Sequence, residues 1–226
     1  MITRAGDAET EQLGEGTYLI RGAVVTPAAV LAAGWVFVRG DVIAGVGDAP
    51  PPGSDVIVDV GKRTIVPGFV DVHVHGGAGG QAAGSDPDAV SASVATLARF
   101  HAGHGTTCLL ATTMSDTPER ILATVIGIRR AMDGADPSGA MVAGIHLEGP
   151  WMASARRDAP DPDLLRRRPD PAELDALIEA SGGAVRLITI APELEGADAV
   201  IAAALKPALA PGRTRQQLAG GAGCWL

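Results

Sequence analysis

The sequence predicts an α/β protein whose larger part is the first half of a TIM-like (β/α)8 barrel, preceded by a small helix-free β unit. Two observations carry this reading. From Val66 onward, apolar strand segments alternate with helical segments at roughly 10–15-residue spacing, the signature of parallel βα units. Before Val66, short stretches rich in Val, Ile and aromatic residues are punctuated by Gly and Pro, with no helical periodicity.

In order, residues 1–16 form a polar, partly acidic leader. Tyr18–Thr26 reads as a strand, and Trp35–Asp48 as a hairpin. Pro50–Gly53 is a loop, and Val56–Val60 is a further short strand that belongs to the β unit of residues 17–65. Residues 66–206 hold four βα units. The first begins with the mostly apolar strand Val66–His75, the glycine-rich turn Gly76–Gly80 and a helix over about Asp86–Gly103. Next come a strand at Thr106–Thr112, a helix over about Thr117–Ala131 and a strand at Met141–Leu147. A long loop through Trp151–Asp163 leads to a helix over Pro171–Ala180, the strand Val185–Ala191 and a helical piece from near Gly196. Four units are too few to close an eight-stranded barrel but suit its first half. Residues 207–226, rich in Pro, Gly, Arg and Gln, change character abruptly and read as an atypical, frameshift-like tail.

Composition sets the outer bounds. The chain has 226 residues, 46% hydrophobic and 19% charged, an ordinary globular balance. A net charge of −8 opposes a nucleic-acid surface, which needs a basic stripe. The basic runs Arg156–Arg157 and Arg166–Arg168 read as a solvated loop and helix start. Cys108 and Cys224 offer no CxxC spacing and no disulfide framework; Cys108, in an apolar run, is expected buried and reduced. No signal peptide and no uninterrupted apolar run of about 18–20 residues is visible, which points to a cytoplasmic protein without a membrane partner.

The sharpest chemical feature is Asp71-Val72-His73-Val74-His75 at the end of the first barrel strand. Strand side chains alternate, so His73 and His75 share a face, with Asp71 behind them. In a barrel such residues point into the active site, where two imidazoles can bind one divalent metal together. Strand histidines can instead hydrogen-bond within a core, but a paired His-x-His before a glycine-rich turn favours the metal reading. Glu148, in His146-Leu147-Glu148-Gly149-Pro150, closes the third barrel strand at the same end; His146 shares its face. His101 and His104 lie at the end of a helix beside Gly103 and Gly105, and read as helix-terminal residues that cap carbonyls. Thr112-Thr113 and Ala191-Pro192-Glu193 end the second and fourth barrel strands and could line the site, although turn and packing roles suffice.

Taken in order, four segments resemble the N-acetylglucosamine-6-phosphate deacetylases of the amidohydrolase superfamily. They are Pro67–Gly77, His104-Gly105-Thr106-Thr107, Gly144–Pro150 and Thr189-Ile190-Ala191-Pro192-Glu193. The first segment alone points only to the superfamily; the later ones are more specific. The resemblance implies a metal-dependent amidohydrolase barrel flanked by a small β-sandwich. It implies Glu148 as ligand of a catalytic divalent metal, commonly zinc, with His73 and His75 serving a second metal site. The implied reaction is hydrolysis of the acetamide of N-acetylglucosamine 6-phosphate to glucosamine 6-phosphate and acetate, so the implied partner is a small amino-sugar phosphate. A homodimer is expected for the full-length family, not for this chain.

The sequence departs from the family pattern at three places. Asp158-Ala159-Pro160-Asp161-Pro162 stands where the family has a histidine that contacts substrate, so Ala159 and Pro160 occupy a substrate-binding position, and Pro160 replaces the histidine. Pro207–Leu226 contains no histidine where the family continues into a Gly-His segment. The motifs for the catalytic aspartate, the remaining metal histidines and the later strands are not found. The expectation is therefore a chain of deacetylase descent with little activity by itself and an exposed edge strand. The competing readings are a dihydroorotase-like cyclic-amide hydrolase and a non-catalytic metal-binding fragment.

Overall fold

The computed structural model describes residues 16–49, 53–134, 136–153, 168–205 and 224–225. They divide into two units, separated between Gly68 and Phe69.

The first unit is one four-stranded sheet. Its strands are β1 (Thr17–Val25), β2 (Val30–Arg39), β3 (Val42–Gly47) and β4 (Val56–Ile65), in the order β3-β2-β1-β4. β2 and β3 form the hairpin expected from the sequence, and β1 pairs antiparallel with β2 and parallel with β4. β4 runs five residues beyond the predicted Val60, because a register shift opposite Arg21–Ala23 lets pairing resume at Thr64 and Ile65. Leu19, Val24 and Val36 are buried in this unit.

The second unit is built around parallel strands. β5 (Phe69–Val74) leads to a two-stranded ribbon of β6 (Gly76–Gly77) and β7 (Gly80–Gln81), then to α1 (Pro87–Ala102). β8 (Thr106–Thr112), α2 (Pro118–Asp133), β9 (Met141–Glu148), α3 (Pro171–Ala180), β10 (Val185–Ile190) and α4 (Ala197–Ala204) follow. The pairs β5–β8, β8–β9 and β9–β10 are all parallel, and consecutive strands are neighbours. Four strands, each followed by a helix and laid side by side in chain order, are the layout of the first half of a (β/α)8 barrel. The short β11 (Cys224–Trp225) pairs antiparallel with the end of β10, inside the segment read from sequence as an atypical tail.

Helix starts follow local chemistry. Asp86, Thr117 and Asp170 cap α1, α2 and α3, accepting hydrogen bonds from the backbone N–H groups of Asp88, Arg120 and Ala172. Each cap is followed by proline at the first helical position, where the missing N–H costs nothing. The apolar faces of the helices then close on the sheet. Val90, Val94 and Leu97 of α1, Ile121, Val125 and Ile128 of α2, and Leu174 of α3 join Leu109, Ile145, Leu147 and Ile188 in one core. That core holds the C-terminal ends of β5, β8 and β9 in fixed register.

β5 begins three residues later than predicted, at Phe69, because Pro67 has no N–H to enter a ladder. It lies at an edge of the described sheet, with Phe69, Val70 and Val72 exposed. Cys108 is a free thiol but half-buried, not buried as expected: β8 places it opposite Val70 of the edge strand. Among the described residues no helix is long and apolar enough to cross a membrane.

Candidate metal centre

His73, His75 and Glu148 meet at the C-terminal ends of β5 and β9, although β8 lies between those strands. Alternation along β5 turns Val74 into the core, almost fully buried, and sends both imidazoles to the opposite side. The ladder to β8 shifts between Asp71 and Val74, and the Asp71 carboxylate accepts from the His73 backbone N–H at 3.1 Å. That local bond steadies the stretch of chain which carries His73.

The three donor atoms converge closely. His73 Nε2 is 3.0 Å from His75 Nε2 and 3.0 Å from Glu148 Oε2, and His75 Nε2 is 2.8 Å from the same oxygen. Metal–nitrogen and metal–oxygen bonds of about 2.0–2.1 Å in a tetrahedral arrangement set neighbouring donors about 3.3 Å apart. The observed spacings fall a few tenths of an ångström short of that. Small outward movements of three partly exposed side chains would therefore admit an ion, and imidazole with carboxylate is a donor set that borderline divalent metals accept.

One hydrogen bond settles which nitrogen of His75 faces the site. Its Nδ1 lies 3.2 Å from the backbone oxygen of Thr112, and a carbonyl can only accept. The proton therefore sits on Nδ1, and Nε2 of the neutral ring presents a lone pair towards the other donors. Without an ion, the adjacent carboxylate raises the His75 pKa above its usual value, through the hydrogen bond to Glu148 first. The reciprocal effect holds Glu148 down to about 2, with the His75 hydrogen bond the largest cause.

Beneath this group lies His146, fully buried and placed by alternation on the same side of β9 as Glu148. Burial depresses its pKa to about 4, so the ring is neutral over most of the pH range. Its Nε2 is 2.8 Å from Thr189 Oγ1 on β10, and its Nδ1 is 3.3 Å from Thr112 Oγ1 on β8. Thr112, fully buried, also accepts the Val74 backbone N–H at 2.9 Å. The sequence allows Thr112 to line the site, although turn and packing roles suffice for it, and gives no role to the side chain of Thr189. Thr112 is the last residue of β8 and fully buried, a polar side chain in a place that asks for a partner. Thr189, half-buried and next to last in β10, carries no such signal.

The remaining sequence candidates separate cleanly. His101 donates from Nε2 to the Gly76 carbonyl at 3.1 Å, and His104 donates from Nδ1 to the Phe100 carbonyl at 2.8 Å, so both serve as helix-end clamps. Ala159 and Pro160 lie outside the described residues, as do Arg156, Arg157, Arg166 and Arg167. Arg168 is exposed. Gly149, immediately after Glu148, has a φ of +77°, and a Cβ there would collide with Ser115 Oγ. Only glycine lets the chain turn away directly behind the carboxylate.

Comparison with known proteins bears on the family of the chain. The chain is 37% identical over 150 residues to N-acetylglucosamine-6-phosphate deacetylase of Danio rerio, a match covering 66% of this chain and 36% of that protein. It is 36% identical over 133 residues to N-acetylgalactosamine-6-phosphate deacetylase of Escherichia coli O157:H7, covering 59% and 34%. Among solved structures, a variant of N-acetyl-D-glucosamine-6-phosphate deacetylase from Mycobacterium smegmatis, in complex with N-acetyl-D-glucosamine-6-phosphate, matches with a TM-score of 0.68 and 38% identity. That match covers 83% of this chain and 47% of the solved one. The chain thus spans little more than a third of these curated relatives and about half of the solved structure. The description "Amidohydrolase family" applies to residues 64–213, more than half of the chain, and on that match this protein belongs to the amidohydrolase family, whose members depend on metal.

Proposed function

We propose that this chain carries the metal-holding strands of an enzyme that hydrolyses the acetamide of N-acetylglucosamine 6-phosphate to glucosamine 6-phosphate and acetate. The observation that supports it best is the convergence of His73, His75 and Glu148 at the strand ends, in a chain similar to deacetylases of that substrate. In this reading the three side chains hold one divalent ion, zinc by the chemistry of the donor set. When bound, such an ion supplies Lewis acidity towards an amide carbonyl and towards water. The protein's part is to keep His75 Nε2 unprotonated through the Thr112 carbonyl, and to keep Glu148 ionised.

Amide hydrolysis also needs a group that takes a proton from water and returns one to the leaving amine. Among the described residues no aspartate joins the three donors. The reading therefore includes slow turnover by this chain alone, well below the roughly 1 s⁻¹ at which ordinary enzymes begin. Ala159 and Pro160 belong to the proposed substrate-binding segment, where proline removes a hydrogen-bond donor. A phosphorylated sugar does not cross a bilayer unaided, which supports a cytoplasmic setting.

A second substrate is favoured by one observation: the relative from Escherichia coli is named for the galactosamine epimer. The test is single-turnover acetate release, with protein in excess and zinc supplied, from both acetyl-labelled sugar phosphates, with dihydroorotate ring opening measured alongside. Zinc-dependent release that favours N-acetylglucosamine 6-phosphate and is lost in Glu148→Gln is the expected result. Preference for the epimer would move the assignment to the second substrate. Release indifferent to zinc and to Glu148, or action on dihydroorotate in its place, would contradict both.

A further inference from the structure

His146 takes no part in the donor group, yet among the described residues it is one of the largest fully buried side chains and the only histidine of that set. A buried imidazole must find partners for two nitrogens. Here the partners come from the strands on either side of its own. Thr112 Oγ1 of β8 faces Nδ1, and Thr189 Oγ1 of β10 faces Nε2. Both nitrogens are engaged, so neither is open to an ion.

The ring also touches the donor group itself. Its centroid lies 4.8 Å from that of His73, with the planes at 77°, an edge-to-face contact. His73 in turn meets His75 in the same manner at 4.9 Å. Thr112 makes a second route: its hydroxyl holds His146 and the Val74 N–H, while its carbonyl accepts from His75 Nδ1. Moving His146 would therefore disturb His73 through the ring face and His75 through Thr112.

We propose that His146 is a positioning residue for the metal centre, its ring clamped between Thr112 and Thr189 so as to fix the orientation of His73 and His75. This rests on the reading of His73, His75 and Glu148 as metal ligands. Loss of groups that orient metal ligands lowers metal affinity by about ten- to a hundred-fold. A histidine that merely filled the core would affect stability and leave the donor geometry alone.

Cobalt(II) distinguishes the two, because its visible d–d absorption reports ligand geometry without any need for turnover. The variants are Thr189→Val, which removes one clamp while keeping side-chain shape, and His146→Gln, which puts a hydrogen-bonding amide in place of the ring. Val125→Ala, in the same core but on α2, is the control for plain loss of packing. The expected result is a fold that persists by circular dichroism in all three. Cobalt affinity falls at least tenfold, with a changed d–d band, in Thr189→Val and His146→Gln only. A wild-type band and affinity in both clamp variants would overturn the proposal, as would an equal change in Val125→Ala. Failure of the wild-type chain to bind cobalt would overturn the ligand assignment and this proposal with it.

Discussion

Glu148 Oε2 lies 2.8 Å from His75 Nε2, although the strands that carry them are separated by β8. In the absence of an ion, this contact is an ion pair whenever His75 is protonated, and each partner shifts the other. Glu148 drops from 4.5 to about 2, and its contribution to stability is present above 4.5 and lost as pH falls towards 2. His75 is raised above 6.5, and its contribution is complete below 6.5 and lost as pH rises through the elevated value. Metal-free protein should therefore exceed Glu148→Gln in thermal stability most clearly between about pH 4.5 and 6.5, with the gap closing on both sides. Thermal midpoints in chelator across pH 2–9 check this; a gap that keeps growing above pH 7 would show that His75 is not the partner.

Gly149 is expected to tolerate no side chain. Alanine there must hold a φ of +77° and displace Ser115. The backbone strain alone costs about 1–3 kcal/mol. Because the adjoining residue is Glu148, the cost should also reach the donor group. Chemical denaturation and zinc titration of Gly149→Ala should show both lower stability and about tenfold weaker binding, the size expected when a ligand loses its support.

Leu174→Ala should separate stability from site geometry in the opposite sense. Leu174 is fully buried on α3 and packs in the core, remote in the chain from the three donors. Truncation should cost about 2–5 kcal/mol by lost transfer energy and cavity formation. Zinc affinity, measured where the variant is still fully folded, should stay within about twofold of wild type.

Much of this arrangement was legible in the sequence, and the parts that were not share a physical cause. β8 and α3 match their predicted bounds because a strand of buried Leu and Ala, or a helix opened by Asp170-Pro171, declares itself locally. His73, His75 and Glu148 could be brought together on paper because alternation and the barrel rule place them at one end. The clamp on His146 could not. It depends on which residue of β8 lies opposite which residue of β9, and on a register shift in β5, neither of which local pattern determines. The same reason explains the longer β4 and the half-exposed Cys108, whose neighbour is an edge strand.

The measurement that bears most directly on the whole account is equilibrium zinc binding to the chelator-stripped protein, followed by calorimetry at pH 7.5. His73, His75 and Glu148 acting together predict one zinc per chain, with Glu148→Ala and His75→Ala each losing the site or weakening it by a hundredfold or more. Unchanged binding in both variants, or no zinc bound by the wild-type chain, would contradict the metal centre and the deacetylase reading built on it.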